Sequence, residues 1–370
     1  MKNEYDLVMD FLEKHQLFNG VIMIADKGVP VYERSVGKRN EASPLTSQSV
    51  FEIASLTKPF TGACIMMLVE EGGLSLSDEL AAFFPRLSFP GVTVGHLLHH
   101  TSGLPDYMEW FEDKWDRTNM VTNADVVKCL ETLPAEFLPG ERWEYCNSGY
   151  VLLAEIIALK SGMTYEEFVN RRIFEPLGMS RSSLSSVFVD GPPKDYATGY
   201  VVDGDGRIEL PANLPDHEYV VMFDRVKGDG GIKSTAEDLL KWEQGLFSGI
   251  LLSEESVQQI VQPAVLKDGR YTDYCPALHE EHYGGYGAGW KIEEHLEYGK
   301  IAMHDGYWAG YCHGLVKYLH LDKTLLLLSN HDFIGEGYVK IPHLLTLAME
   351  KVIWGEDADL TPFRELLSTP

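Results

Sequence analysis

Runs of apolar and β-branched residues typical of strands first appear close to the beginning of the chain. Two strand-like runs, the wholly apolar residues 21–25 and the mixed residues 29–36, flank Asp26-Lys27-Gly28, a sequence typical of a hairpin turn. Further runs near the other end have the same strand-like composition: residues 301–304, 314–319 and 324–328. The pattern therefore predicts β-strands at both ends of the chain.

Helical periodicity dominates the remainder. Apolar residues recur at helical spacing over residues 56–71, 150–160 and 341–354. Between about residues 73 and 180, short Gly and Pro breaks separate further helix-like segments. The middle of the chain is therefore predicted to be largely helical.

The order of helix, strands, long helical insert, strands and helix predicts an α/β (α+β) fold with one sheet formed by both chain ends. We expect a single domain over residues 1–356. Its α/β part covers about 1–60 plus 225–356, and its helical part covers about 61–224. Residues 357–370 are expected to form a polar C-terminal tail. This layout creates a cleft between the two parts, a common place for ligands.

Charge excludes two classes of partner. Lys and Arg number 31 and Asp and Glu number 56, which gives a net charge of −25. Nucleic acids and anionic membrane surfaces attract the opposite sign, so we expect neither as a partner. No apolar stretch is long enough to span a bilayer.

Cysteine usage and the N-terminal region indicate the compartment. The five cysteines form no Cys-x-x-Cys pair, and no apolar leader with a cleavage site precedes residue 7. The expectation is a cytoplasmic protein with reduced thiols. The sequence contains no signal for a particular oligomeric state.

A Ser-x-x-Lys pattern occurs twice, at Ser35/Lys38 and at Ser55/Lys58. The first lies in an extended run, where residues three apart point to opposite faces. The second begins a predicted helix, where residues three apart share a face and Pro59 is tolerated in the first turn. The helix N-terminus disfavours a charged Lys58, and a lysine with a lowered pKa can take the serine proton. The alternative is an N-cap serine beside a solvated lysine.

A second candidate, Tyr145-Cys146-Asn147, precedes the helix at 150–160. In an extended segment residues two apart project to the same side, so Tyr145 and Asn147 are predicted to face the cleft together. Cys146 would then point away and serve packing. The alternative is that Asn147 or Ser148 only caps the helix.

A third candidate, His304-Asp305-Gly306, ends a predicted strand, so that His304 and Gly306 share one face. Glycine permits close approach of another backbone, and a substrate could add along this edge as an extra strand. Similar triplets at His282-Tyr283-Gly284, Lys160-Ser161-Gly162 and Lys267-Asp268-Gly269 are expected in loops, turns or helix ends rather than on paired strands.

Metal and cofactor sites are not expected. His96, His99 and His100 share a helix face, but no acidic or thiol ligand of suitable spacing accompanies them. The Gly-rich segment 285–289 lacks the spacing of a dinucleotide-binding loop. Gly-x-Ser-x-Gly is absent, which argues against an α/β-hydrolase nucleophile elbow.

Taken together, the motifs at Ser55, Tyr145 and His304 resemble those of the penicillin-recognising serine hydrolases. These include class C β-lactamases, DD-peptidases, D-aminopeptidases and related esterases. Further segments look like family segments: Ser55-Leu56-Thr57-Lys58-Pro59, residues 96–105, 176–179 and 228–235. The resemblance covers about residues 18 to 350. It implies a β-lactamase/DD-peptidase-like fold, an antiparallel sheet flanked by helices with an inserted all-α subdomain.

The resemblance also implies roles for the catalytic groups. Ser55 would be the acylated nucleophile and Lys58 its proton partner. Tyr145 would act as general base and later as acid toward the leaving group, with its phenol pKa lowered by Lys58.

Binding roles are carried over in the same way. Asn147, His304 and Gly306 would bind the substrate. The backbone amides of Ser55 and Tyr307 would form the oxyanion hole. The implied substrate is a small ester, amide or peptide, with no cofactor.

The third motif departs from the usual family pattern. His304 stands where a lysine usually holds a substrate carboxylate, and it is expected to be mostly neutral near pH 7. Asp305 follows it, in a protein of net charge −25. We therefore expect turnover of small esters, amides or D-amino peptides with weak β-lactam hydrolysis. The alternatives are a DD-carboxypeptidase, a β-lactamase proper, or a non-catalytic sensor that keeps the fold.

Overall fold

The structure is a computed structural model that describes residues 3–114, 119–202, 207–272, 282–295, 298–333 and 341–368. The strands are β1 (Gly20–Asp26), β2 (Val29–Val36), β3 (Phe51–Glu52), β4 (Tyr200–Val202), β5 (Ile208–Glu209), β6 (Lys233–Ser234), β7 (His282–Tyr286), β8 (Lys291–His295), β9 (Gly299–Trp308), β10 (Tyr311–Tyr318), β11 (Lys323–Ser329) and β12 (His331–Phe333).

The α-helices are α1 (Glu4–Lys14), α2 (Lys58–Glu70), α3 (Val94–Leu98), α4 (Tyr107–Lys114), α5 (Asn123–Leu130), α6 (Asn147–Ser161), α7 (Tyr165–Val169), α8 (Glu175–Leu177), α9 (Val187–Asp190), α10 (Tyr219–Met222), α11 (Ala236–Phe247), α12 (Glu254–Ile260), α13 (Ile341–Ile353) and α14 (Thr361–Ser368). Short 3₁₀ segments lie at Ala54–Thr57, Leu80–Ala82, Pro211–Asn213 and Pro215–His217, and a short π-helix lies at Asn170–Phe174.

Within the described residues, one antiparallel sheet joins the two ends of the chain. Its strand order is β2-β1-β11-β10-β9-β8-β7, so β1 from the N-terminal part pairs with β11 from the C-terminal part. The first hairpin turns at Lys27 and Gly28, whose φ angles of 48° and 74° match the left-handed pair that a tight hairpin requires. The predicted sheet shared by both ends is confirmed.

Strand β1 carries apolar side chains on both faces because both faces of the sheet are covered. Val21 and Met23 belong to the larger core on the side of the helical part. Ile22 and Ile24 belong to a second core beneath α1 and α13. The period-2 alternation thus separates two cores, and the sheet lies between helical layers.

Helix α2 starts at the site and runs through the larger core. Every residue from Lys58 to Leu68 is buried, which accounts for the apolar run at 63–69. In the part of the chain that the structure describes, no helix has the length and apolar character needed to cross a membrane.

Two details differ from the expectations. The region predicted as helical contains β4 and β5, which form a small sheet with β12. The predicted polar tail contains α14, whose Phe363 is fully buried against the second core. Phe363 and Leu366 share a face of this helix, so its amphipathic spacing was a usable signal.

Candidate active site

Ser55 and Lys58 lie together at the entrance to α2. Ser55 occupies the 3₁₀ turn Ala54–Thr57, and α2 begins at Lys58 with Pro59 in its first turn. The Lys58 Nζ donates to Ser55 Oγ at 3.1 Å. Lys58 is fully buried, which contradicts the alternative of a solvated lysine.

The backbone before the serine is strained. Ala54 has φ 50°, in the left-handed region that costs a non-glycine residue roughly 1–2 kcal/mol. Such conformations persist where the surrounding structure over-determines them. The turn aims Ser55 into the pocket described below.

The other Ser-x-x-Lys pair is not assembled. Ser35 lies on β2 opposite Val21, and the Lys38 Nζ donates to the carbonyl oxygen of Glu41 at 3.3 Å. The extended geometry separates these two side chains as expected.

All three donors of the Lys58 ammonium have acceptors. Besides Ser55, Nζ donates to Asn147 Oδ1 at 2.8 Å and to the carbonyl oxygen of Asp229 at 2.9 Å. Burial lowers the pKa of Lys58 to about 8, although the carboxylates of Asp229, Asp106 and Asp305 oppose the shift. The direction agrees with the expectation, but its main cause is burial rather than the helix N-terminus.

Tyr145 packs against Lys58 with the face of its ring. The Lys58 Nζ lies 4.7 Å from the ring centroid, within the range of a cation–π contact. Burial raises the pKa of Tyr145 well above 10, and the carboxylates of Asp305 and Asp229 add to this, whereas the interaction with the Ser55 hydroxyl opposes it. The expected lowering of the Tyr145 pKa by Lys58 is wrong, because desolvation of a phenolate outweighs one nearby ammonium.

Asn147 is the first residue of α6, and an acidic side chain fixes its orientation. Asp106 Oδ2 accepts from the Asn147 backbone N at 2.7 Å and from Nδ2 at 3.0 Å, which turns Oδ1 toward Lys58. The N-cap position is Cys146, which makes no side-chain capping bond and whose Sγ points to the carbonyl of Leu104. The capping alternative for Asn147 is therefore wrong.

His304 and Gly306 share the buried face of β9, as predicted. His304 is 2% exposed; its Nε2 meets the Tyr286 hydroxyl at 2.9 Å and its Nδ1 meets the Asp305 carbonyl oxygen at 2.6 Å. Burial lowers the pKa of His304 to about 3, so the predicted neutral imidazole is confirmed. With both ring nitrogens occupied, the structure does not place His304 on the pocket wall.

Gly306 allows β9 to approach the serine turn. A Cβ atom at this position would lie 2.4 Å from the carbonyl oxygen of Ile53. Glycine is therefore required by the contact between β9 and the backbone that leads into Ser55.

The register of β9 determines which backbone groups face the pocket. The Leu319 N–H donates to the Lys300 carbonyl at 3.1 Å. Hydrogen-bonded and non-bonded residue pairs alternate along two antiparallel strands. Counting from this bond, Tyr307 lies opposite Cys312 in a non-bonded pair, so its N–H points away from β10. The pairing with β8 ends at Lys291 and Met303, which leaves the edge of the described sheet open at Tyr307. Ser55 lies at the start of a helical turn, where N–H groups have no acceptor within the helix.

A cavity of about 510 Å³ opens in front of Ser55. Its lining residues are Ala54, Ser55, Met108, Trp143, Tyr145, Asn147, Tyr219, Asp229, Gly230, Lys291, Asp305, Tyr307 and Trp308. Aromatic rings form much of the wall, so apolar groups are favoured with a few polar contacts.

Sequence reasoning missed several polar residues of the site. Lys291 forms an ion pair with Asp305 at the pocket wall. Asp229 lines the pocket and accepts from the Tyr107 hydroxyl at 2.8 Å. Burial raises the carboxyl pKa of Asp229 and of Asp106. Both acids lie within the family-like segments at 96–105 and 228–235 or directly after them, which was the available signal.

The competing motifs lie elsewhere. His282-Tyr283-Gly284, which was expected in a loop, is part of β7 and pairs with β8, so that expectation is wrong. Lys160-Ser161-Gly162 ends α6, and the φ of 69° at Gly162 fits a C-cap. Over the described residues, no group of three or more His, Cys, Asp or Glu side chains is arranged to hold a metal ion.

Several known proteins are similar to this chain in sequence. The chain is 38% identical to penicillin-binding protein 4* of Bacillus subtilis over 354 residues, which cover 94% of this chain and 75% of that protein. It is 30% identical to the D-aminopeptidase of Brucella anthropi over 72% of this chain and 49% of that protein. It therefore spans three quarters of the first relative and about half of the second.

Solved structures and a family model agree with these relatives. A penicillin-binding protein from Bacillus halodurans superposes with a TM-score of 0.77 at 28% identity, covering 95% of this chain and all of that one (100%). The family model described as Beta-lactamase matches residues 6–346. The chain accordingly belongs to the β-lactamase family and is a serine hydrolase of that family.

Proposed function

We propose that the protein hydrolyses small carboxylic esters and amides, including D-amino peptides, through an acyl-enzyme on Ser55. The observation that supports this most is the 3.1 Å contact between Ser55 Oγ and the buried Lys58 Nζ, at the base of a cavity of about 510 Å³. A nucleophile within hydrogen-bond reach of a base with a lowered pKa is the arrangement that acyl transfer needs.

Acylation begins when Ser55 Oγ attacks the carbonyl carbon and its proton passes to the neutral amine of Lys58. The carbonyl π electrons move to the oxygen, which the N–H groups of Ser55 and Tyr307 stabilise as an oxyanion. When the tetrahedral intermediate collapses, the bond to the leaving group breaks. The leaving group takes the proton of the Tyr145 phenol, and the Lys58 ammonium returns a proton to Tyr145.

Deacylation repeats these steps with water. Water gives a proton to the neutral amine of Lys58, directly or through the Tyr145 phenol, which takes up one proton as it passes another on, while the water oxygen attacks the acyl carbon. The Lys58 ammonium then returns this proton to Ser55 Oγ as the bond between Oγ and the acyl carbon breaks. Because the Tyr145 pKa is raised well above 10 and that of Lys58 is about 8, Lys58 is the better initial base. Tyr145 then acts as a neutral phenol that relays protons.

Charge and shape support small, uncharged or amine-bearing substrates. Of the lining residues that the structure describes, Asp229 and Asp305 carry carboxyl groups and Lys291 carries the ammonium. Aromatic walls, such as Trp143 and Trp308, favour a cation or an apolar group. Lys291 forms an ion pair with Asp305, so a substrate carboxylate would have to compete with Asp305 for the Lys291 ammonium.

Covalent labelling tests the nucleophile. We expect a fluorophosphonate probe to add its mass to the peptide containing Ser55, and Ser55→Ala to lose this label and to lower kcat for p-nitrophenyl acetate by roughly 10³-fold or more. Ser35→Ala is the matched control and should retain both. Wild-type protein that stays unlabelled after long incubation would instead indicate a binding or sensor protein.

Substrate preference is tested on the same preparations. We expect p-nitrophenyl acetate to be hydrolysed with a higher kcat/KM than nitrocefin. Strong nitrocefin turnover with an inert ester would overturn the preference in favour of a β-lactamase proper.

A further inference from the structure

His100 lies in a tightly enclosed position that the proposed chemistry does not use. It follows α3, is 1% exposed, and has φ 56°, in the left-handed region. Its ring packs among those of Tyr150 and Tyr286, at centroid distances of 5.0 and 4.6 Å. A buried, strained polar residue of this kind calls for a physical reason.

His100 bonds to the residue before Tyr145 and to the residue after it. The Glu144 N–H donates to the His100 carbonyl oxygen at 2.9 Å, and the Cys146 N–H donates to the His100 Nδ1 at 3.1 Å. The imidazole also packs on the Tyr145 ring with centroids 4.4 Å apart. One residue thus holds the backbone before and after Tyr145 and one face of its ring.

We infer that His100 is a positioning residue that fixes the Tyr145 phenol at the Ser55 hydroxyl. The inference rests on the proposed role of Tyr145 in moving protons. Proton transfer requires donor and acceptor at hydrogen-bond distance, and a displacement of about 1 Å can cost on the order of a hundredfold in rate. Loss of His100 would therefore slow proton transfer during acylation rather than weaken substrate binding.

The protonation state of His100 fits this role. Because Nδ1 accepts a backbone N–H, it carries no proton, and the proton of the neutral ring is on Nε2. Burial lowers the pKa of His100 well below 6.5, and the nearby Lys58 and His304 lower it further. The ring therefore stays neutral beside the Lys58 ammonium, and protonation near neutral pH does not remove the acceptor for the Cys146 N–H.

Two substitutions separate the hydrogen-bond acceptor of His100 from its aromatic ring. His100→Asn keeps an acceptor, since the amide oxygen lies the same number of bonds from Cα as Nδ1, and asparagine tolerates positive φ. His100→Phe keeps an aromatic ring but removes the acceptor for Cys146. His99→Asn is the matched control, because His99 bonds only to the Gly95 carbonyl oxygen among the contacts described.

Leaving-group dependence provides a readout that a purely structural role would not change. p-Nitrophenolate departs without a proton, whereas the ethoxide of ethyl acetate needs one from Tyr145. Both esters give the same acetyl-enzyme, so the leaving-group effect is read from kcat/KM, which reports acylation. We expect His100→Phe to lower kcat/KM for ethyl acetate by roughly tenfold or more and to affect that for p-nitrophenyl acetate much less. His100→Asn should retain most of the rate, and Tyr145→Phe should show the same pattern as His100→Phe with a larger loss.

The outcomes separate this inference from the proposed function. It is overturned if His100→Phe loses both esters equally, if His100→Asn loses as much as His100→Phe, or if neither loses activity. If His100→Phe does not accumulate as folded protein, His100→Gln takes its place, because its amide oxygen lies one bond further from the backbone. Absence of fluorophosphonate labelling at Ser55 in the wild type would instead contradict the proposed function itself.

Discussion

Lys58 and Tyr145 divide the proton transfers according to their surroundings. Both side chains lose water, but desolvation acts in opposite directions on them, because it disfavours the ammonium of one and the phenolate of the other. The pKa of Lys58 therefore falls to about 8 while that of Tyr145 rises well above 10. Near neutral pH a useful fraction of Lys58 is neutral, whereas Tyr145 is fully protonated.

This division predicts the pH dependence of the reaction. Since the neutral amine is the active form, kcat/KM for p-nitrophenyl acetate should rise about tenfold per pH unit below pH 8 and level off above it. Initial rates corrected for spontaneous hydrolysis measure this profile. Lys58→Arg should abolish this rise of kcat/KM with pH, because a guanidinium stays protonated. A rate that is flat from about pH 6 to 9 would contradict the assignment of Lys58 as base.

Sequence reasoning identified Ser55, Lys58 and Tyr145, which carry the reaction in the proposal, but missed residues that hold identified side chains in place. Ser55 and Lys58 share one helical turn, so their contact followed from local geometry. Asp106 contacts Asn147 across 41 positions of the chain, and Tyr286 meets His304 across 18. Such contacts depend on how the elements pack, and periodicity along the sequence contains no information about them.

At the scale of elements, the approach of β9 to the serine turn brings the two halves of the site together. Gly306 faces the Ile53 carbonyl and Leu56, and a Cβ atom there would lie 2.4 Å from the former and 3.2 Å from the latter. Backbone cannot yield as a flexible side chain does, so β9 would have to shift away from the nucleophile.

Gly306→Ala tests this close approach. We expect it to lower the free energy of unfolding by about 1–3 kcal/mol and to reduce the rate of Ser55 acylation. Urea unfolding and fluorophosphonate labelling rates measure the two effects. Gly314→Ala on the neighbouring β10 is the matched control, because its Cβ would meet nothing closer than 4.0 Å. Equal stability and equal labelling of the two variants would show that β9 has room at Gly306.

The elements themselves were predictable where one physical signal dominates. The hairpin at Lys27-Gly28 and the end of α6 at Gly162 follow from left-handed backbone positions. The length of β9 does not, since 301–304 was predicted and Gly299–Trp308 was found. Burial does alternate over its last residues, but the buried positions are His304 and Gly306 and an exposed one is Tyr307. The alternation of apolar and polar residue types that marks a half-buried strand is therefore missing there.

At the scale of the whole molecule, net charge and local charge act together. The chain carries −25, and its pocket presents Asp229 and Asp305 against the single ammonium of Lys291 among the described lining residues. A negative field of this extent raises the local concentration of cations and lowers that of anions. It therefore separates substrates that are alike in shape but differ in charge.

Salt dependence measures this effect directly. The methyl ester of D-phenylalanine carries an ammonium near neutral pH, whereas its N-acetyl derivative is uncharged and otherwise similar. Raising NaCl from about 20 to about 500 mM shortens the Debye length from roughly 20 Å to roughly 4 Å, so kcat/KM for the amine-bearing ester should fall several-fold. The N-acetyl ester, as the matched control, should change by less than about twofold, and nitrocefin turnover should rise because its carboxylate is no longer repelled. If all three substrates responded alike, the protein's charge would have no part in substrate selection, and preference would be set by contacts inside the pocket alone.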